Sequence, residues 1–151
     1  YKDTIKSAVK NYHTACDADN SPLVVALGGG IDSGSIVGML HRLQGDKVDA
    51  ISLSYNEETD YNEAELIKYS VRDHVLNWHN IILDPSVLLD DLQSLYTRFD
   101  LPLATVSSYG YDYLYREIKK LGYKLIFNGS GGDQLQAGNY PSFFLPKLFC
   151  P

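Results

Sequence analysis

The chain has 151 residues, 44% hydrophobic and 21% charged, the size and composition of a globular domain able to bury a core. Thirteen Lys and Arg against nineteen Asp and Glu give a formal charge of −6, with no basic run longer than Lys119-Lys120. That argues against sequence-independent nucleic-acid binding, which rests on neutralising several phosphates. No apolar run approaches the roughly 20 residues needed to span a bilayer. Cys16 and Cys150 form no C-x-x-C, so a reducing cytoplasm is the expected setting.

In chain order, residues 4–15 set Ile5, Ala8, Val9 and Tyr12 at the spacing of an amphipathic helix. Pro22 precedes the continuous apolar run 23–27, of strand length, as expected of a strand covered on both faces in a parallel sheet. Glycines follow at once. From Ser33, the positions Ile36, Val37, Leu40 and Leu43 return to helical spacing until Gly45-Asp46. The unit then recurs, with 48–55 as strand, 61–76 as helix and 78–83 as strand, followed by a helix over 86–99. Tyr109, Tyr111, Tyr113 and Tyr115 alternate with period two, but Tyr111, Leu114, Tyr115, Ile118 and Leu121 hold a helical stripe for longer. The spacing predicts a helix that Gly122 ends, then a fourth strand over 124–127 leading into a second glycine-rich loop. Such alternation predicts an α/β fold of three layers, an open, mainly parallel sheet with helices on both faces, Rossmann-like. We expect one domain over 1–151, truncated at its C-terminal side, because the apolar stretch 143–151 has nothing after it to pack on.

The first loop, Leu27-Gly28-Gly29-Gly30-Ile31-Asp32-Ser33, lies where a parallel strand hands over to a helix, the position at which open α/β sheets take ligands. Glycine lets backbone N–H groups approach an anion, and the helix N-terminus adds partial positive charge. A tight turn that merely tolerates glycine is the plainer alternative. The dinucleotide fingerprint G-x-G-x-x-G is met only loosely, because Ser33 stands at its sixth position. The P-loop pattern fails too, with Ser35 where lysine belongs. Asp32 would repel a phosphate unless a cation lay between them, and magnesium takes carboxylate, phosphate and water oxygens together.

Gly-Gly-Gly-Ile-Asp-Ser resembles the S-G-G-x-D-S loop of the PP-loop ATP pyrophosphatases, with Gly28 in place of the first serine. The second loop, Asn128-Gly129-Ser130-Gly131-Gly132-Asp133-Gln134 followed by Gly138-Asn139-Tyr140, resembles the S-G-E-G-x-D-E…G-G-Y segment of the asparagine synthetase branch. Glu63-Ala64 matches a D/E-E-x-x-x-A segment, and Pro102 with the helix to Lys120 matches the stretch before the second motif. The resemblance implies an adenine nucleotide alpha hydrolase-like fold that binds ATP and Mg2+. It implies that Leu27, Gly28, Gly29, Gly30, Ser33, Asn128, Gly129, Gly131 and Gly132 hold the nucleotide, that the Leu53 backbone reads adenine, and that Asp32 and Asp133 carry the metal. It departs at Ser130, where the family has a glutamate implicated in the chemistry, and at Gln134 and Asn128.

The activity implied is an ATP-dependent ligase that adenylates a substrate carboxylate, releases pyrophosphate, and lets an amine or ammonia form an amide. A glutaminase domain or partner chain is a possible nitrogen source. Three rivals stay open: a non-catalytic nucleotide-binding relative, a PP-loop enzyme acting on tRNA, and an NAD-type oxidoreductase domain. His13, His41, His74 and His79 lack zinc spacing and read as surface or satisfied histidines, Glu57-Glu58-Asp60 as a solvated loop, and Trp78 as core.

Overall fold

A computed structural model of the chain describes residues 2–18, 21–45, 48–55, 63–99 and 105–131. The elements in order are α1 (Lys2–Ala18), β1 (Leu23–Ala26), α2 (Ile31–Gln44), β2 (Val48–Tyr55), α3 (Ala64–His74) and β3 (Val75–Leu83). A 3-10 turn (Pro85–Val87), α4 (Leu88–Phe99), α5 (Val106–Lys120) and β4 (Leu125–Phe127) follow. The strands form one sheet in the order β3-β2-β1-β4, and every pairing is parallel.

Period-two alternation sends neighbouring side chains to opposite faces. Val25, Leu27, Val48 and Ala50 turn to one face, where Val9 of α1, Val37 and Leu40 of α2 and Ile67 of α3 close over them. Val24 and Ile51 turn to the other, under Leu114 and Ile118 of α5. A smaller cluster of Leu83, Leu95 and Tyr109 joins β3, α4 and α5. Each large aliphatic side chain so covered contributes roughly 1.5–3 kcal/mol. The continuous apolar run of β1 is thus what a two-sided sheet requires, while β2 buries Ser52 and Ser54 beside its apolar residues. Trp78 packs against the first cluster, and its Nε1–H donates to Ser52 Oγ at 3.0 Å.

The topology follows from handedness. Right-handed crossovers place α2 and α3 on one face as the chain steps from β1 to β2 to β3. Returning past β1 to β4 reverses the direction of travel, so α4 and α5 cross on the opposite face. The reversal falls between β1 and β4, whose paired residues include Val24 with Ile126 and Val25 with Phe127.

Several boundaries differ from expectation. α2 begins at Ile31 rather than Ser33, because Gly30 adopts the extended conformation of an N-cap (φ −83°, ψ 163°) and releases the helix at once. β1 ends at Ala26 and β4 begins at Leu125, each one residue short of the predicted run. The predicted helix over 61–76 stops at His74, and β3 starts at Val75 rather than at Trp78. There the helical stripe loses to pairing, since Val75 is extended, buried and in register with Val48. Instead of one helix over 86–99, a 3-10 turn precedes α4, with the Ser86 N–H donating to Asp84 Oδ1 at 2.8 Å. Glu57-Glu58-Asp60, Pro102, the Cys16 side chain, Cys150 and the stretch 143–151 lie outside the described residues.

Candidate functional site

Between the C-terminal ends of β1 and β4, at the reversal, opens a cleft of about 470 Å³. Its walls include Leu27, Gly28, Gly30, Asp32 and Ser33 from the first loop, Leu53 from β2, and Asn128, Gly129 and Ser130 from the second. A smaller adjoining hollow of about 280 Å³ runs along Tyr55, Ser107 and Gly110 and shares Leu53, Glu63, Tyr111 and Leu114 with it. Open parallel sheets bind ligands in this position because two loops leave the sheet edge in opposite directions there.

The first loop is built to present amides. Gly30 caps α2 without any side-chain hydrogen bond, and the first intrahelical bond runs from Gly34 N–H to Gly30 O. The N–H groups of Ile31, Asp32 and Ser33 therefore precede the helical ladder, as in any first turn, the arrangement from which helix N-termini can receive an anion. The Ser33 side chain is buried and braces the loop. Its Oγ accepts from the Gly28 N–H at 3.1 Å and lies 3.1 Å from Gly28 O, to which its hydroxyl can donate.

The second loop is pressed against this turn. A methyl group at Gly129 would stand 2.9 Å from Ser33 N and 2.9 Å from Asp32 Cβ, closer than side-chain carbons come, so this crossing requires glycine. The Ser130 N–H donates to Asn128 Oδ1 at 3.2 Å, closing a local turn just after β4.

Leu53 has a defined edge. The Leu27 N–H donates to Ile51 O at 2.8 Å, so Ile51 bonds toward β1, and Leu53, two residues on, turns its backbone groups the same way. By that point β1 has left the sheet for the first loop. Ser52 secures the departure, its hydroxyl donating to Leu27 O at 2.7 Å.

Of the residues singled out from sequence, Leu27, Gly28, Gly30, Asp32, Ser33, Leu53, Asn128, Gly129 and Ser130 meet in the cleft. Gly29 lies behind it, against α3, and Gly131 follows Ser130 at the end of the described chain. Gly132, Asp133 and Gln134 lie outside the described residues. Glu63 and Tyr111 are among the cleft residues that carried no site role in sequence. Glu63 precedes α3, and its Oε2 accepts from the Gly29 N–H at 2.7 Å. Tyr111, on the first turns of α5, was read as helix packing but lines both hollows. For Glu63 the match of Glu63-Ala64 to the family segment was a signal, and for Tyr111 the signal was topology, since it stands where α5 meets the C-terminal sheet edge.

The donor set fits a magnesium-bound polyphosphate. Asp32 brings a hard carboxylate oxygen beside amides that have no helical partner, and magnesium bound with phosphates needs only one or two carboxylates plus water. Among the described residues no group of three metal-ligating side chains forms a closed cage. The histidines stand apart from the cleft: His41 packs on His74 with ring centroids 5.0 Å apart, and His79 Nε2 lies 3.1 Å from the Tyr123 hydroxyl. Among the described residues no helix is long and apolar enough to cross a membrane.

The sequence and fold have recognisable relatives. A family model described as asparagine synthase matches residues 1–149. The amidase chyE of Penicillium rubens is 24% identical over 135 residues, covering 81% of this chain and 20% of that protein. The NH3-dependent NAD synthetase of Campylobacter jejuni, solved with a nitrate ion, superposes with a TM-score of 0.58 at 19% identity, over 90% of this chain and 59% of that one. The NMN synthetase of Francisella tularensis gives a TM-score of 0.57 at 15% identity, over 89% of this chain and 57% of that one. The chain thus spans a fifth of the curated relative and less than two thirds of either structural neighbour. At these identities the structural likeness speaks for the fold.

Proposed function

The chain belongs to the asparagine synthase family, and from that premise we propose that it is the nucleotide-binding domain of an ATP-dependent carbon–nitrogen ligase, continued in a longer protein. The observation that carries this reading is the contact of the two glycine-rich loops beside Asp32, with Gly129 seated on the first turn of α2. A dinucleotide site has no use for that second loop.

In this reading the amides of Gly29, Gly30 and the first turn of α2 receive the β- and γ-phosphates of ATP, the Gly28 N–H being held by Ser33 Oγ, and Asn128, Gly129, Ser130, Gly131 and Gly132 contribute to the same seat. The free backbone edge of Leu53 takes the adenine. Asp32 and Asp133 would hold a magnesium ion, whose contribution is to neutralise charge on the pyrophosphate. A carboxylate oxygen of the second substrate attacks the α-phosphorus; the bond to the β-phosphate oxygen breaks, and its electron pair leaves with pyrophosphate. The amides are aimed at that developing charge before the reaction begins, and one such preorganised donor is worth about 3 kcal/mol. An amine or ammonia then attacks the acyl carbon, loses a proton, and releases AMP as the amide forms. We place the groups that orient this nucleophile outside the described residues, and ammonia could come from a glutaminase domain or a partner chain.

The test is pyrophosphate release by the intact protein supplied with ATP, magnesium, candidate carboxylates and an ammonium salt. Asp32→Asn should lower the rate about 100-fold or more with the thermal midpoint unchanged. An unchanged rate contradicts the assignment. A second reading, a nucleotide-binding relative without ligase chemistry, is favoured by Ser130, which stands where the family has glutamate. It predicts magnesium-dependent ATP binding with no pyrophosphate released for any acceptor.

A further inference from the structure

Glu63 reaches a residue 34 positions away, its Oε2 accepting from the Gly29 N–H at 2.7 Å. That is the short distance of a charge-assisted hydrogen bond. The contact is held by the backbone. Glu63 O accepts from the Ile67 N–H at 3.0 Å, which ties Glu63 to the first turn of α3. That turn packs directly on the loop, since a methyl group at Gly29 would stand 3.0 Å from both Glu63 Cβ and Leu66 Cβ. Oε2 also lies 3.2 Å from where a Gly28 methyl would be, so the carboxylate covers two consecutive residues of the loop. Among the described residues no Lys or Arg forms an ion pair with it.

An amide N–H has one hydrogen to donate. A carboxylate oxygen and a phosphate oxygen cannot both take the Gly29 hydrogen, and two anions in contact repel each other. We propose that Glu63 is a built-in competitor for the anion seat of the first glycine-rich loop, displaced by a magnesium-bearing polyphosphate and restored to the Gly29 amide when pyrophosphate leaves. The inference rests on the ligase reading above and deepens it: Glu63 sets how tightly the loop holds nucleotide before transfer and how long it retains pyrophosphate afterwards. Selectivity follows. A single phosphate gains too few amide contacts to expel the carboxylate, whereas a polyphosphate gains several.

The test is calorimetric titration of inorganic pyrophosphate and of ATP, each with excess magnesium, into the intact protein and its Glu63→Gln and Glu63→Ala variants. The Gln variant keeps the shape and removes the charge, and circular dichroism checks that both are folded. Both variants should bind pyrophosphate and ATP about tenfold tighter than wild type, the factor expected when a charge-assisted competitor is lost. The Gly29 amide proton should move upfield in the Ala variant. Weaker binding in both variants would make Glu63 a ligand for the metal or nucleotide and overturn the proposal while leaving the ligase reading intact. Unchanged binding would make it a brace between α3 and the loop, again overturning the proposal alone. If folded wild type and variants all fail to bind either ligand, the ligase reading falls and the proposal with it.

Discussion

A methyl group added at Gly129 would meet the Ser33 amide nitrogen and Asp32 Cβ at 2.9 Å, and backbone on one side leaves little room to yield. Gly129→Ala should therefore destabilise the protein by about 1–3 kcal/mol. It should also weaken magnesium-dependent ATP binding; a denaturant midpoint within error of wild type would contradict the packing. The two loops that meet in the cleft, and Asp32 among their residues, were legible in the sequence because glycine leaves a local pattern where one backbone must pass close to another. The Glu63 contact with Gly29 was not, because it joins residues 34 apart and only the first turn of α3 folding onto the loop creates it. Ser33 was legible as part of the motif, but its hydrogen bonds with Gly28, which close the loop, require coordinates.

At the scale of elements, α4 and α5 are joined by a charged network across the sheet's second face. Arg116 Nη2–H donates to Asp91 Oδ2 at 2.6 Å, and Tyr109 O–H donates to the same oxygen at 3.2 Å. Arg98 Nη1–H donates to Asp112 Oδ1 at 2.7 Å, while Arg116 Nε forms an ion pair with Asp112 Oδ2 at 3.0 Å. The Arg116 hydrogen bond holds the Asp91 carboxyl below its usual range, outweighing partial burial, and burial pushes the Tyr109 phenol up. A carboxyl lowered in the folded state stabilises fully above its unfolded pKa, and that contribution disappears as pH falls through the lowered value. Asp91→Asn should cost about 1 kcal/mol at neutral pH, discounted for partial exposure. Denaturant midpoints measured from pH 7 downward should show the gap between wild type and variant closing in acid; a gap constant with pH would contradict the network. The tyrosine run of α5 was ambiguous in period, and the longer helical stripe proved the better guide because Leu114 and Ile118 pack on the sheet. The α3–β3 boundary was illegible for the opposite reason. Nothing local stops the helical pattern at His74, and only the pairing of Val75 with Val48 does.

For the whole molecule, the alternation of apolar runs and helical stripes foretold a parallel sheet with helices on both faces. It did not foretell strand order, because β3 and β4 give no local sign of which neighbour they pair with. The order β3-β2-β1-β4 is what brings the loops after β1 and β4 to one crevice, so the site is a product of topology as much as of motif. We propose that this crevice holds ATP through magnesium on Asp32. The most direct measurement is calorimetric titration of ATP into the intact protein and its Asp32→Ala variant, each with and without magnesium. Binding that requires magnesium and weakens about tenfold or more in the variant is the predicted result. Binding indifferent to both magnesium and Asp32, or no binding by a folded wild-type protein, would contradict it.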